Sequence, residues 1–408
     1  MPVKTRLSGR LARRFTLGVA IAAAVPAVLV AALIVLPFST RTFWLLAVFA
    51  REYSLLGALA ALAATAAAVV ALRLGARRAG AMTAAVAALC LVATLVPVVT
   101  AHHDARRLGV PLSYADYFQR PATTADRGPD ATVTYARIGG SELLLDVWRP
   151  RSPVEKLGPA VVLVHGGSWT KGRRSMTPRW DEWLTEHGAT VFDIDYRLAP
   201  PATWTQAPGD VRCAVGWVRR NAVRYGVDAG RIALMGMSAG GHLALLAAYT
   251  SGDTVGENAF PPSCETGDTS VSAVVSLYGP YDLACSYDLA VPWWAAKWLS
   301  DGEGRGMVLD FIGGSPEKER AAYKTASPIT YLRADVPPTL SVQGGHDQIE
   351  YPDDGRRAAR LAHEAGASHR YVEIGYACHA FDLAWGGFGA QMARAEIGDF
   401  LRHTIRMG

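Results

Sequence analysis

The sequence predicts an α/β fold, a mostly parallel central sheet with helices on both faces, preceded by about three transmembrane helices. Three observations predict it. Long charge-poor apolar runs crowd into the first quarter of the 408 residues. Beyond residue 130, short β-branched runs alternate with longer segments of helical period. The charge is also split: residues 1–101 hold ten Lys or Arg against one acid, Glu52, a net of +9, while the remainder carries −4. With 50% apolar and 19% charged residues, a disordered or fibrous chain is excluded. The basic pI near 8.9 does not signal a nucleic-acid partner, because the positive charge flanks apolar segments and the acidic remainder has no basic stripe with interleaved aromatics.

Residues 1–16 form a basic tail, and 17–101 the membrane region. Leu17 to Phe38 carries no charge and, at 1.5 Å per residue, is long enough to cross a hydrocarbon core of roughly 30 Å, with Pro26 as a candidate kink. Tyr53 to Leu74 and Ala81 to Thr100 have the same capacity. Thr42–Ala50 stops at Arg51-Glu52, too short to span, and is expected at the interface or as an extension of the second helix. Five basic residues in the tail and Arg73, Arg77 and Arg78 after the second run stand against Arg41 and Arg51 in the first loop. Positively charged flanks stay cytoplasmic, so three spans place the rest of the chain outside the cell membrane. A cleaved signal peptide would export it too; two spans would reverse it.

After a linker, 102–130, the domain 131–408 follows. Val133–Ala136 and Glu142–Trp148 read as an antiparallel entry pair. Ala160–His165, Ala189–Tyr196, Arg231–Gly236, Val271–Tyr278, Thr339–Gln343 and Arg370–Ile374 read as buried strands, alternating with helices such as Gln206–Tyr225, Gly240–Tyr249 and Asp353–Ala365. Of the cysteines, Cys264 and Cys285 in loop-like sequence are the expected disulfide pair, and Cys213 a buried thiol in a helix. No His/Cys cluster has metal-ligand spacing, so no metal is expected.

In such sheets reactive groups gather beyond the carboxyl ends of the strands. Arg231–Gly236 runs into Gly236-Met237-Ser238-Ala239-Gly240 and then a helix, a G-x-S-x-G in the strand–turn–helix setting that projects a serine hydroxyl. A hydroxyl needs an imidazole to take its proton and a carboxylate to orient that imidazole. Asp347, in Gly344-Gly345-His346-Asp347, and His379, in Cys378-His379-Ala380-Phe381, follow later strands in the order Ser, Asp, His. Glu350, Asp353 and Asp354 are rival acids, and His363, His369 and His403 rival bases, whereas His346 and His242 are expected to be structural. His165-Gly166-Gly167-Ser168-Trp169 ends another strand; Gly166 and Gly167, with the N–H of Ala239, are the expected oxyanion donors.

These stretches, with Asp195-Tyr196-Arg197-Leu198-Ala199-Pro200, Tyr278-Gly279-Pro280-Tyr281-Asp282 and Ala326-Ser327-Pro328, resemble the α/β-hydrolase superfamily from about Val133 to His403. Within it they are similar to esterases of the hormone-sensitive-lipase and feruloyl-esterase-like groups. The resemblance implies an α/β-hydrolase fold, a Ser238–His379–Asp347 triad, an acyl-enzyme and no cofactor. Ser168, where lipase-like members often have a third glycine, and Trp169 shift it toward feruloyl esterases, prenylcysteine methylesterases and arylformamidases. The multi-span N-terminus with an outward hydrolase also resembles membrane-anchored esterases of actinobacteria. The implied substrate is a small-molecule or lipid ester. An acyltransferase using the same triad and an arylformamidase-like amide hydrolase are the alternatives. The region Leu283 to Phe311, with Trp293, Trp294 and Trp298, reads as a cap over the acyl site or as packing; Trp169, Trp293 and Trp294 are the candidate substrate contacts.

Overall fold

The computed structural model describes residues 2–36, 41–120, 124–151, 157–251, 259–287 and 303–408. The chain forms two compact units, Met1–Pro121 with Gly375–Met392, and Ala122–Ile374 with Ala393–Gly408.

The first unit contains α1 (Pro2–Val35), α2 (Arg41–Glu52), α3 (Ser54–Arg73), α4 (Arg77–Leu108) and α5 (Tyr114–Gln119). Three stretches are long and apolar enough to cross a membrane: Leu11–Val35, Ser54–Arg73 and Arg77–Leu108. Their burial is inverted relative to a soluble bundle. Small residues lie inside, Ala20, Ala24, Ala27 and Ala31 on α1 and Ala61, Ala64 and Ala68 on α3, while Leu29, Leu59 and Leu89 face outward. The helices approach closely through these small side chains, the packing expected where an apolar surrounding leaves no hydrophobic drive between helices. Gly57 is one such approach: a Cβ there would lie 2.7 Å from Val30 Cγ1.

The Thr42–Ala50 stretch is the body of a separate short helix, α2, whose Arg51 guanidinium donates to the Ile34 carbonyl at 2.9 Å near the end of α1. The third apolar run continues as helix to Leu108, where Gly109 caps it at φ 69°. Between it and β1 lies α5, N-capped by Ser113 Oγ, which accepts from Asp116 N–H at 3.1 Å.

The second unit is built on one eight-stranded sheet: β1 (Ala131–Ile138), β2 (Ser141–Trp148), β3 (Gly158–Val164), β4 (Thr190–Ile194), β5 (Val227–Met237), β6 (Ala273–Leu277), β7 (Thr339–Gly344) and β8 (His369–Ile374). Their spatial order is β1-β2-β4-β3-β5-β6-β7-β8. The β1–β2 pair is antiparallel, as expected of the entry pair; β2–β4 is antiparallel as well, and every other pair is parallel, so the sheet is mostly parallel as expected. β3, β4, β6 and β7 are buried along their whole length, so both faces are covered. The described α-helices that follow are α6 (Pro178–Glu186), α7 (Ala207–Asn221), α8 (Ala239–Tyr249), α9 (Leu283–Tyr287), α10 (Glu303–Ile312), α11 (Arg320–Thr325), α12 (Pro352–Glu364) and α13 (Phe388–Ile405). The architecture is that of an α/β-hydrolase.

The disulfide expectation requires correction. Cys213 bridges Cys264, with Cα atoms 5.5 Å apart, and Cys285 is an exposed thiol. Cys213 lies on one face of α7 between Gly209 and Gly216, and a Cβ on either glycine would strike Pro261 O at 2.5 Å or Thr266 Oγ1 at 1.8 Å. The loop carrying Cys264 therefore lies directly on that helix face. In the expected cap, α9 and α10 are helical, and Trp293, Trp294 and Trp298 lie outside the described residues.

Candidate active site

β5 ends in a sharp bend at Ser238, whose φ of 52° and ψ of −123° are unfavourable for a side-chain-bearing residue. Such a conformation costs about 1–3 kcal/mol and persists only where the surroundings hold it. Here Ser238 N–H donates to Leu277 O at 2.9 Å, and Ser238 O accepts from His242 N–H at 3.0 Å, opening α8. The flanking glycines are steric necessities. A Cβ on Gly236 would lie 2.2 Å from Gly240 O, and one on Gly240 would lie 2.1 Å from Val164 O. The bend thus brings β3 and β5 together at their carboxyl ends.

The same packing brings the expected oxyanion segment to the serine. A Cβ on Gly166 would lie 3.4 Å from Ser238 Cβ and 3.0 Å from Met237 O. Gly167 has φ 121°, followed by Ser168 at 57° and Trp169 at 59°, and Lys171 N–H closes the turn on Gly167 O at 3.0 Å. His165 stacks on Tyr196 with ring centroids 4.3 Å apart, anchoring the start of the turn. Ala239 is the first residue of α8, so its N–H belongs to the unpaired donors of a helix N-terminus.

Asp347 lies in the turn after β7 and is buried. Its Oδ1 accepts from the N–H groups of Ile349 and Glu350, both at 2.8 Å, and its Oδ2 accepts from Gln343 Nε2 at 3.0 Å. Gln343 also donates to Glu350 O at 2.9 Å. The sequence reading missed this holder of the carboxylate; its signal is a lone amide side chain inside the apolar run of β7. His379 follows β8 in the segment Gly375–Met392, is 6% exposed, and precedes Ala380 at φ 56°.

The rival acids and bases occupy other positions. Asp354 accepts from Tyr281 N–H at 2.6 Å and Asp282 N–H at 3.1 Å, and burial pushes its carboxyl up to about 6. Glu350 is buried against Ser286, and burial with the nearby Asp354 and Asp347 raises its carboxyl well above the carboxylate range. Asp353 faces solvent beside Arg356. His369 sits at the amino end of β8, bonded to Ser341 Oγ at 3.0 Å, and His363 and His403 are exposed on helices. His346 is exposed.

Trp169 is not at a surface. It is buried, stacks on Phe311 with centroids 4.8 Å apart, and donates from Nε1 to His242 Nδ1 at 3.1 Å. His242 Nε2 in turn donates to Ala326 O at 2.7 Å. The motif residues outside the site are structural: Arg197 pairs with the buried Asp210 at 2.7 Å, and Ser327 Oγ accepts from Leu283 N–H at 3.0 Å.

The chain is similar to known proteins in sequence and in fold. Esterase LipQ and Esterase LipC of Mycobacterium tuberculosis are 34% and 35% identical, over 64% of this chain in each case and 60% and 62% of theirs. The chain thus covers about 60% of these relatives' length. Among solved structures, a truncated carbohydrate esterase from gut microbiota superposes with a TM-score of 0.55 at 23% identity, covering 69% of this chain and all of that one. Thermogutta terrifontis esterase 2 phosphonylated by sarin gives 0.54 at 21% identity, over 69% of this chain and 98% of that one. The family model BD-FAE matches residues 145–356, from β2 into α12 and across both the glycine turn and the Ser238 bend, so the chain belongs to the BD-FAE family.

Proposed function

We propose that the chain is a membrane-anchored serine carboxylesterase that hydrolyses small or apolar carboxylic esters through Ser238, His379 and Asp347. The observation that carries the proposal is the left-handed Ser238 with Gly166 packed against its Cβ. A hydroxyl held in this strained bend is aimed for attack, and backbone donors beside it are preorganised for the oxygen that becomes negative. The relatives named as esterases support the same chemistry.

His379 accepts the Ser238 proton as Oγ bonds to the ester carbonyl carbon, and the N–H groups of Gly166, Gly167 and Ala239 receive the oxyanion. The imidazolium then protonates the departing alcohol as the C–O bond breaks, leaving an acyl-enzyme. Water, deprotonated by His379, repeats the sequence and releases the acid. Asp347, held by Gln343 and two backbone N–H groups, is the carboxylate that orients the imidazole. The three apolar helices anchor the chain, with the basic tail and the Arg77–Arg78 turn cytoplasmic and residues 131–408 extracytoplasmic.

The test is turnover of p-nitrophenyl esters of graded acyl length by the full chain in detergent. Ser238→Ala is expected to lower kcat/KM by about 10³-fold or more. Equal turnover by both proteins would relocate the nucleophile, and diversion of product to a new ester by excess alcohol would mark an acyltransferase instead.

A further inference from the structure

The segment that carries His379 is fastened at both ends to the N-terminal helices, within the first compact unit. At its start, Gly375 N–H donates to Asp104 Oδ2 of α4 at 2.7 Å. At its end, Gly389 N–H donates to Glu52 Oε2 of α2 at 2.8 Å. Gln391 then clasps Ser113, accepting its N–H at 2.7 Å and donating to its carbonyl at 2.9 Å. The Tyr117 ring stacks on Phe388 with centroids 4.5 Å apart.

Glycine spacing shows that the fit at Glu52 is close. A Cβ on Gly387 would lie 2.5 Å from Glu52 Oε2, and one on Gly389 would lie 2.7 Å from Glu52 Oε1. Gly386 is equally tight against α5, where a Cβ would lie 2.3 Å from Asp116 O. Gly387 and Gly389 thus lie directly against the Glu52 carboxyl, and Gly386 against the backbone of α5. Burying a carboxyl is costly unless it is hydrogen-bonded, and the Gly389 N–H supplies that bond.

We infer that Glu52 is a positioning residue for the proposed general base, fixing through Gly387 and Gly389 the loop on which His379 stands, so that the membrane-proximal helices are a working part of the hydrolase. The inference rests on the assignment of His379 as the base. Burial, with Asp382 nearby, pushes the Glu52 carboxyl up to about 8, so at neutral pH the group is a neutral acid that accepts the Gly389 N–H. Glutamine, of the same length and with the same acceptor oxygen, is accordingly its faithful substitute.

The experiment uses the full chain in detergent, with a p-nitrophenyl ester as substrate and the thermal midpoint recorded beside the kinetics. Glu52→Ala is expected to lower kcat by about 10- to 100-fold, the scale of a misplacement of order 1 Å, with KM within about twofold. Glu52→Gln is expected to restore kcat to within about threefold of the parent. Asp104→Ala, at the other end of the loop, is expected to show the same kcat-specific loss. If Glu52→Ala does not fold, Glu52→Asp, which withdraws the carboxyl by one methylene, is read in its place. His379→Ala separates the two ideas. If it abolishes turnover while folded Glu52→Ala and Asp104→Ala keep parental kcat, the positioning role is overturned and the base assignment stands. If His379→Ala keeps parental kcat, the base assignment fails and the inference falls with it.

Discussion

His242 stands four residues beyond Ser238 with no exposed surface, bonded at both ring nitrogens, one accepting from Trp169 and the other donating to Ala326 O. That pattern fixes a neutral ring, and burial pushes its pKa down to about 4 from the ordinary 6.5. The native state thus binds fewer protons than the unfolded chain between these values. The contribution to stability is complete above about pH 6.5 and is lost as pH falls toward 4, about 3 kcal/mol in all at 1.4 kcal/mol per unit. His242→Gln can keep both hydrogen bonds without titrating. In unfolding measured from pH 8 to 4.5, the stability of the parent relative to the variant is expected to be constant above about pH 6.5 and to fall by about 3 kcal/mol as pH drops toward 4.5. Parallel profiles would contradict the neutral buried ring; slopes from other groups cancel in the difference. At this scale the bend at Ser238, the turn at Gly166 and the turn that holds Asp347 were legible as local structure because each is a short motif at a strand end. The bond from Gln343 to Asp347 was not, since a lone polar residue in an apolar stretch carries no mark of its partner.

The elements legible in sequence were those whose burial pattern repeats. Parallel strands covered on both faces read as continuous apolar runs, as β3, β4, β6 and β7 do, whereas β8, expected as a buried strand, is an edge strand buried only at Val372 and Ile374. Helix α6 was not legible, because it buries Arg179, Asp181, Glu182 and Thr185 along with its tryptophans and so lacks an apolar stripe. The disulfide failed for a related reason: loop-like sequence suggested Cys264 and Cys285, whereas the partner was marked by helix-face glycines, Gly209 and Gly216, that let the Cys264 loop lie against α7. The bridge closes a loop of 51 residues, for which chain entropy gives about 4 kcal/mol. Replacing Cys213 and Cys264 together by alanine is expected to lower the thermal midpoint clearly, and reductant to do the same to the parent. Cys285→Ser is expected to leave the midpoint within about a degree, since exposed substitutions usually cost less than 0.5 kcal/mol. A large loss from Cys285→Ser with none from the double variant would restore the sequence expectation.

For the whole molecule, composition and loop charge alone left two topologies open, three spans with residues 131–408 outside or two spans with the reverse. The segment Gly375–Gln391 supplies an argument between them. Glu52 precedes α3 and Asp104 lies near the end of α4, and both hold this one segment. If α1, α3 and α4 all cross, the turn before α3 and the end of α4 fall on the same face of the membrane, as this requires. If α3 did not cross, they would fall on opposite faces and could not share it. The Cys213–Cys264 bridge favours the oxidising side for the same domain. In a Cys285→Ser background, Val223→Cys, at a position 78% exposed, is therefore expected to react with a membrane-impermeant maleimide on intact cells. Ala79→Cys, in the exposed start of α4 beside Arg77 and Arg78, is expected to react only after permeabilisation. The opposite labelling pattern would invert the orientation. Labelling of both on intact cells would remove the membrane from between them, and with it the reason for the basic residues to cluster where they do.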